Sequence, residues 1–104
     1  MSDQMAEIFK QAQKMKKDMA RIQEDLKDRV VEGTSGGGMV SALVNGGQEL
    51  LKIELKPEVV DPDDAEMLAD LICAAVNDGM KKAKDLAQSE IAKATGGMMP
   101  PGMF

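Results

Sequence analysis

The N-terminal quarter of the chain alternates apolar and polar positions with the period of a helix. Its apolar residues are spaced alternately three and four positions apart: Met5, Ile8, Ala12, Met15, Met19, Ile22 and Leu26. We call these seven residues the apolar seam. The spacing is that of a heptad, runs without Gly or Pro, and predicts an α-helix over residues 3–29. Because the seam is narrow, we expect the helix to pack on another helix, from its own chain or from a partner, with the seam Met residues in the core.

The next segment alternates with the period of a β-strand. Val30 and Val31 open a β-branched stretch that ends at the sequence GTSGGG of residues 33–38. Residues 39–45 and 49–56 then each place alternate apolar residues on one face, as in strands with one buried side. The Asn45-Gly46-Gly47 sequence between them predicts a tight hairpin, since Asn-Gly supplies the positive φ angles of such turns. The segment therefore predicts a three-stranded antiparallel meander.

A second helical pattern follows the acidic sequence PEVVDPDDAE of residues 57–66. Asp61 suits the N-cap and Pro62 the first position of a helix. Apolar residues then recur at helical spacing to about residue 95. Gly79 interrupts this pattern, and because glycine costs a helix about 1 kcal/mol relative to alanine, its presence predicts a close helix crossing.

These elements predict one α+β domain of order α-β-β-β-α, with two long helices, over residues 1–95. We expect the Gly/Met/Pro-rich tail over residues 96–104 to be mobile. The chain contains ten Met and two Phe, but neither Trp nor Tyr. Because aromatic side chains usually supply much of the buried area, we expect the domain to share its core with a second copy.

The residue types needed for common catalytic sites are scarce. The chain has no His, so no Ser-His or Cys-His pair is available. The single Cys73 lies in the apolar run LICAAV of residues 71–76, which predicts a core position. The acidic residues 61–66 lack the pattern of a calcium loop, and GTSGGG lacks the Gly-Lys-Ser/Thr ending of a phosphate loop. We therefore expect no enzymatic activity, no metal, no cofactor and no small-molecule substrate.

The sequence also predicts a location. The N-terminal residues MSDQMAEIFK lack the basic and then apolar pattern of a signal peptide. The longest apolar run, residues 71–76, is far shorter than the roughly 20 residues that span a bilayer. We expect a soluble cytoplasmic protein that makes no membrane contact.

Positive charge is concentrated in the first helix. The chain has 18 acidic and 13 basic residues, a net charge of -5, yet residues 10–21 (KQAQKMKKDMAR) contain five basic residues and one acidic residue. On a helix, four of these residues form a line opposite the apolar seam, which we call the basic stripe: Lys10, Lys14, Lys17 and Arg21. Lys16 lies beside it. At about 1.5 Å per residue the stripe extends about 16 Å, enough to meet several phosphates of a DNA strand.

Two interpretations of this charge stay open. A charged outer face is routine for a helix that packs on another helix, and such a face need bind nothing. Anion binding is favoured by the segregation of sign, because residues 58–70 hold six acids and no base. A smaller cluster on the second helix comprises Lys81, Lys82 and Lys84, and a solvated face is the simpler interpretation there.

Five sequence blocks, in this order and spacing, resemble the YbaB/EbfC-type nucleoid-associated proteins of bacteria. The blocks are KQAQKMKKDMARIQEDL, GTSGGGMV, VNGGQELLKIELKPEVV, DAEMLADLICAAVNDGMKKAKD and GMMPPGMF. The resemblance covers nearly the whole chain. It implies a tight homodimer in which the sheets form the body and the long helices project like tweezers.

The resemblance also implies a function. The family binds double-stranded DNA with little dependence on sequence and is linked to nucleoid organisation and gene regulation. Its DNA contacts are ascribed to the helices, which here carry the basic stripe, then Lys16, and more weakly Lys81, Lys82 and Lys84. An alternative is an adaptor dimer whose Met-rich seam docks a replication or recombination-repair protein, since the family's genes often lie near genes for such proteins.

Overall fold

The computed structural model describes residues 3–96. Two helices and three strands follow one another in the predicted order: α1 Asp3–Lys27, β1 Val30–Ser35, β2 Val40–Asn45, β3 Leu50–Leu55 and α2 Ala65–Thr95. Short 3-10 turns occupy Gly36–Gly38 and Pro57–Val59. The α-β-β-β-α order and the α+β class are therefore confirmed. Apart from Gly96, the tail predicted to be mobile lies outside the described residues.

The three strands form an antiparallel sheet in the order β1-β2-β3. In its register, Ala42 of β2 lies between Gly33 of β1 and Ile53 of β3. β1 is longer than predicted, because it continues through Gly33 to Ser35 before the glycines turn the chain. α2 covers one face of this sheet, where the predicted inward residues are fully buried: Val40, Ala42 and Val44.

The start of α2 differs from the prediction. Asp64, not Asp61, is the N-cap, and its Oδ1 accepts a hydrogen bond from the Met67 N–H at 3.2 Å. Asp61 instead accepts from the Asp63 N–H at 2.9 Å, which closes a short turn around Pro62. Either Asp could cap a helix locally. Because the Asp61 side chain is engaged in the turn around Pro62, Asp64 caps the helix instead. The helix therefore begins three residues later than predicted.

The β2–β3 turn has the predicted position but not the predicted backbone. Gly46 and Gly47 do not have positive φ angles, and Gln48 does, at 62°. Gly46 is needed for close approach instead, since a Cβ atom there would lie 2.7 Å from the Leu26 carbonyl oxygen. Its N–H donates to the carbonyls of Leu26 at 2.9 Å and Arg29 at 2.8 Å. The hairpin thereby holds the C-terminal end of α1 against the sheet.

Two expectations about the core need correction. Gly79 of α2 lies against β1 and β2, not at a helix crossing, because α2 packs on the sheet along this stretch. Cys73 is exposed, because it lies on the side of α2 turned away from the sheet, whereas Ala75 is buried. The seam Met5 and Met15 are exposed in the single chain, so their burial against the helix of a partner stays a prediction.

Candidate nucleic-acid interface

α1 is held at its C-terminal end and projects at its N-terminal end. Leu26 is buried, Met19 and Ile22 are half-buried, and every residue from 3 to 17 is exposed. The helices run in opposite directions where they meet. Leu26 shares a cleft with Ile91, whereas Ala94 borders a groove along the earlier part of α1. The exposed half of α1 therefore extends past the end of α2, and the molecule is 72 Å long and about 21 Å wide.

The basic stripe lies mainly on this projecting half. All five basic residues of α1 between residues 10 and 21 are exposed. No carboxylate among residues 3–96 lies within 4.0 Å of the ammonium groups of four of them: Lys10, Lys14, Lys16 and Lys17. Arg21 pairs with Asp18 at 3.8 Å, and exposed pairs of this kind are worth at most about 1 kcal/mol. At most one weak ion pair is therefore lost when these cations contact a phosphate.

The two flanks of the projecting helix both carry cations. Lys14 borders the groove that contains Ile8 and Met15. Lys16 and Lys17 border a shallow depression on the other side of α1. The stripe thus lies mainly on the outer surface of the helix and meets the apolar groove at Lys14.

Lys82, a weaker candidate from the sequence, has structural partners. Its ammonium donates to the Glu32 carbonyl of β1 at 3.0 Å and pairs with Asp78 at 3.1 Å. The Thr34 N–H donates to the same Asp78 oxygen at 3.0 Å. The Thr34 hydrogen bond, and then the Lys82 ammonium, hold the pKa of Asp78 below its usual value of 3.8. These contacts join α2 to the edge strand β1.

The structure separates the remaining candidates. Lys81 is exposed on α2, and Lys84 borders the cleft between α1 and α2. Lys27, which the sequence analysis did not single out, borders that same cleft. Only the packing of α1 on α2 brings Lys27 and Lys84 together, since they are far apart in sequence. Neither lies on the projecting half of α1 that carries the stripe.

Within residues 3–96, no group of three or more His, Cys, Asp or Glu side chains is placed to hold a metal ion. None of the helices in that range is both long and apolar enough to cross a membrane.

Comparison with known proteins adds independent information. Residues 1–98 match the model of the YbaB/EbfC DNA-binding family. A "Nucleoid-associated protein" of Pelotomaculum thermopropionicum is 49% identical over 104 residues, which cover 100% of this chain and 99% of the relative. A second "Nucleoid-associated protein", from Acetivibrio thermocellus, is 52% identical over 98 residues, 93% of this chain and 87% of the relative.

A solved structure shares the fold. The crystal structure of the uncharacterized protein HP0035 from Helicobacter pylori is 27% identical, with a TM-score of 0.77. The match covers 92% of this chain and 99% of that one. With a family model that matches almost the entire length and relatives near 50% identity, the chain belongs to the YbaB/EbfC DNA-binding family.

Proposed function

We propose that this protein is a non-enzymatic, nucleoid-associated protein of the bacterial cytoplasm that binds double-stranded DNA as a homodimer. The basic stripe and Lys16 make the main contacts, with little dependence on base sequence, and binding affects nucleoid organisation and gene expression. The observation that carries the proposal is the position of the stripe. The three lysines of the stripe and Lys16 have no carboxylate within 4.0 Å among residues 3–96, and they lie on an exposed helix that projects from the body of the molecule.

The chemistry of the stripe favours phosphate contact over base reading. Three of its four members are lysines, which act as point charges, whereas bidentate recognition of guanine is typical of arginine. The stripe contains no aromatic side chain on which a single-stranded base could stack. These residue types suit a duplex bound through its backbone.

A dimer would offset the unfavourable net charge. A chain of net charge -5 is repelled by DNA at long range. Two stripes on one rigid body engage a duplex with a gain from effective concentration, because the second contact is intramolecular. The single chain also exposes apolar side chains along the edge strand β3, which a second copy could cover: Leu50 41%, Leu51 53%, Ile53 36% and Leu55 39% exposed.

A salt titration with two matched variants tests the proposal. Binding of a labelled random-sequence duplex is measured at several salt concentrations for the wild type. One variant carries Gln at Lys10, Lys14, Lys17 and Arg21. The control carries Gln at four other exposed lysines and so has the same net charge: Lys27, Lys52, Lys56 and Lys93.

We expect the stripe variant to lose duplex binding and keep its oligomeric state, while the control retains most of its affinity. The logarithm of the wild-type affinity should fall linearly with the logarithm of salt, by about 0.9 per phosphate contact. An equal loss of affinity in both variants would show that net charge alone accounts for binding. Unchanged affinity in the stripe variant would exclude the stripe as the contact surface.

The adaptor function keeps one observation in its favour, the exposure of the seam at Met5, Ile8 and Met15. Under this alternative a replication or recombination-repair protein docks on these side chains. Ser at the three positions should then abolish capture of that protein and leave the salt-dependent DNA titration unchanged. DNA binding through the stripe predicts that duplex binding is lost in the stripe variant and kept in this Ser variant.

A further inference from the structure

The projecting half of α1 has an apolar face that no described residue covers. Met5, Ile8 and Met15 are 56%, 65% and 43% exposed. They continue into an open groove of about 480 Å³, whose apolar walls come from α1 and from one residue of α2: Ile8, Ala12, Met15, Met19, Ile22 and Ala94. Burial of such side chains stabilises by about 25 cal/mol per Å², so an uncovered row of them favours an occupant.

The chain itself leads to this groove. Ala94, which forms part of its wall, is two residues before the last described residue, Gly96. Gly96 caps α2 in the left-handed conformation, with φ 63°, and its N–H bonds to the carbonyls of Ala92 and Lys93. A cap of this kind ends the helix and redirects the chain. The described chain therefore ends at Gly96, two residues after a residue that lines the groove.

The composition and length of residues 97–104 suit that surface. The sequence GMMPPGMF contains three Met, two Pro and one Phe, and no charged side chain. Extended at about 3.1 Å per residue, eight residues span about 25 Å. The seam from Met19 to Met5 is fourteen residues of helix, about 21 Å at 1.5 Å per residue. The tail is long enough to follow the seam to its end.

We propose that residues 97–104 fold back along α1 of their own chain and cover the apolar seam from Met15 to Met5. Methionine adapts its shape to an irregular groove, and the tail and seam are both rich in it. The own-chain tail is favoured over other occupants because its attachment at Gly96 gives it an effective concentration on the order of millimolar. Of the basic stripe only Lys14 borders this groove, and Lys10, Lys17 and Arg21 do not line it, so this inference does not rest on DNA binding.

Paramagnetic relaxation in the full-length chain tests the proposal. Cys73→Ser removes the native thiol, and Gly102→Cys then accepts a nitroxide without changing any apolar residue of the tail. Ile and Met methyl groups report proximity. We expect loss of signal at Ile8 and Met15, relative to the reduced nitroxide, and none at Ile53 or Ile72 on the sheet and α2. The proposal would be overturned if no signal were lost, or if the loss were equal at all these methyl groups.

Two further measurements make the assignment specific. Ser in place of the four apolar tail residues Met98, Met99, Met103 and Phe104 should restore the Ile8 and Met15 signals in the same labelled chain. Selective broadening that persists in this variant contradicts apolar docking. A second sample mixes spin-labelled chains with separate isotope-labelled chains. Signal loss at Ile8 and Met15 in this mixture would assign the tail to the seam of a partner, against the proposal, whereas docking within one chain leaves these signals unchanged in the mixture.

Discussion

Gly33 of β1 and Gly79 of α2 lie in backbone contact. A Cβ atom on Gly33 would lie 2.2 Å from the Gly79 nitrogen and 2.2 Å from the Ala75 carbonyl oxygen. The absence of both side chains lets the helix lie directly on the sheet, where Ala42 and Ala75 are fully buried. A core built from such small residues is thin, which fits a chain without Trp or Tyr.

The glycine contact predicts unequal effects of two alanine substitutions. Gly33→Ala drives a methyl group into backbone atoms that cannot rotate away, and we expect it to lower the free energy of unfolding by about 3 kcal/mol. In Gly79→Ala the new methyl group meets the Val44 side chain at 2.8 Å, and the helix gains about 1 kcal/mol from alanine. In urea unfolding, the loss of unfolding free energy should be smaller for Gly79→Ala than for Gly33→Ala. Equal losses would contradict the close backbone contact at Gly33.

Asn45 is predicted to stabilise the hairpin that positions α1. It is buried, and its Oδ1 accepts from the N–H groups of Gly47 at 3.0 Å and Glu49 at 2.9 Å. Asn45→Ala leaves both donors without this acceptor, and we expect a loss of about 2 kcal/mol in urea unfolding. Gln48→Gly is the control in the same turn. Because residue 48 has a φ of 62°, glycine should be neutral or stabilising there. A loss of unfolding free energy in both variants would show that the turn is sensitive to any substitution, and not specifically to loss of the Asn45 hydrogen bonds.

Asp78 should make stability depend on acid pH. Its pKa is held below 3.8 by the Thr34 N–H and then by Lys82, with Lys81 contributing less. A lowered pKa stabilises the fold at pH values above the ordinary pKa, and this contribution is lost as the pH falls through the folded pKa. Asp78→Asn should therefore lower the melting temperature at neutral pH. The difference from the wild type should vanish as the pH falls below 3.8.

The control for this pH dependence is Asp85→Asn, which removes the same charge from an exposed position on α2. A difference from wild type that persists at low pH in Asp78→Asn would assign the effect to packing, not to ionisation.

Single lysine substitutions should separate DNA contact from structure. Lys17→Gln removes an exposed ammonium, and if each protomer of a dimer makes one contact there, the salt slope should fall by about 1.8, twice 0.9. Lys82→Gln removes the ion pair with Asp78 and the hydrogen bond to Glu32, so we expect a lower melting temperature and little change in slope. If Lys82→Gln lowered the salt slope and Lys17→Gln did not, the DNA interface would lie on α2.

The exposed edge strand β3 is where we expect the proposed homodimer to form its interface. Ile53 lies on the face of β3 that continues the buried face of β2, where it pairs with Ala42. Ile53→Lys should shift the protein to monomers in light scattering at micromolar concentration, because an ammonium would be buried in an apolar contact. Lys52→Gln, on the neighbouring position of the same strand, should leave the oligomeric state unchanged. A dimer that survives Ile53→Lys would place the interface elsewhere.

Periodicity in the sequence was enough to predict the five elements and their order. The 3.5-residue spacing of the seam and the two-residue spacing of Val40, Ala42 and Val44 each allow one kind of secondary structure with a single apolar face. The five sequence blocks likewise identified the family that the comparisons confirm. The exposed basic stripe follows from helical geometry alone, since its residues recur on one face of α1.

The tertiary structure decided which of several locally equivalent residues does each task. Asp61 and Asp64 can both cap a helix, and only the course of the chain into α2 selected Asp64. Gly79 has no local partner, and its contact is with Gly33, 46 residues away in sequence. Lys82 pairs with Asp78 one turn earlier in α2, yet only packing of α2 on β1 gives it the Glu32 carbonyl as a second partner. Such contacts depend on elements distant in the chain, so no local pattern encodes them.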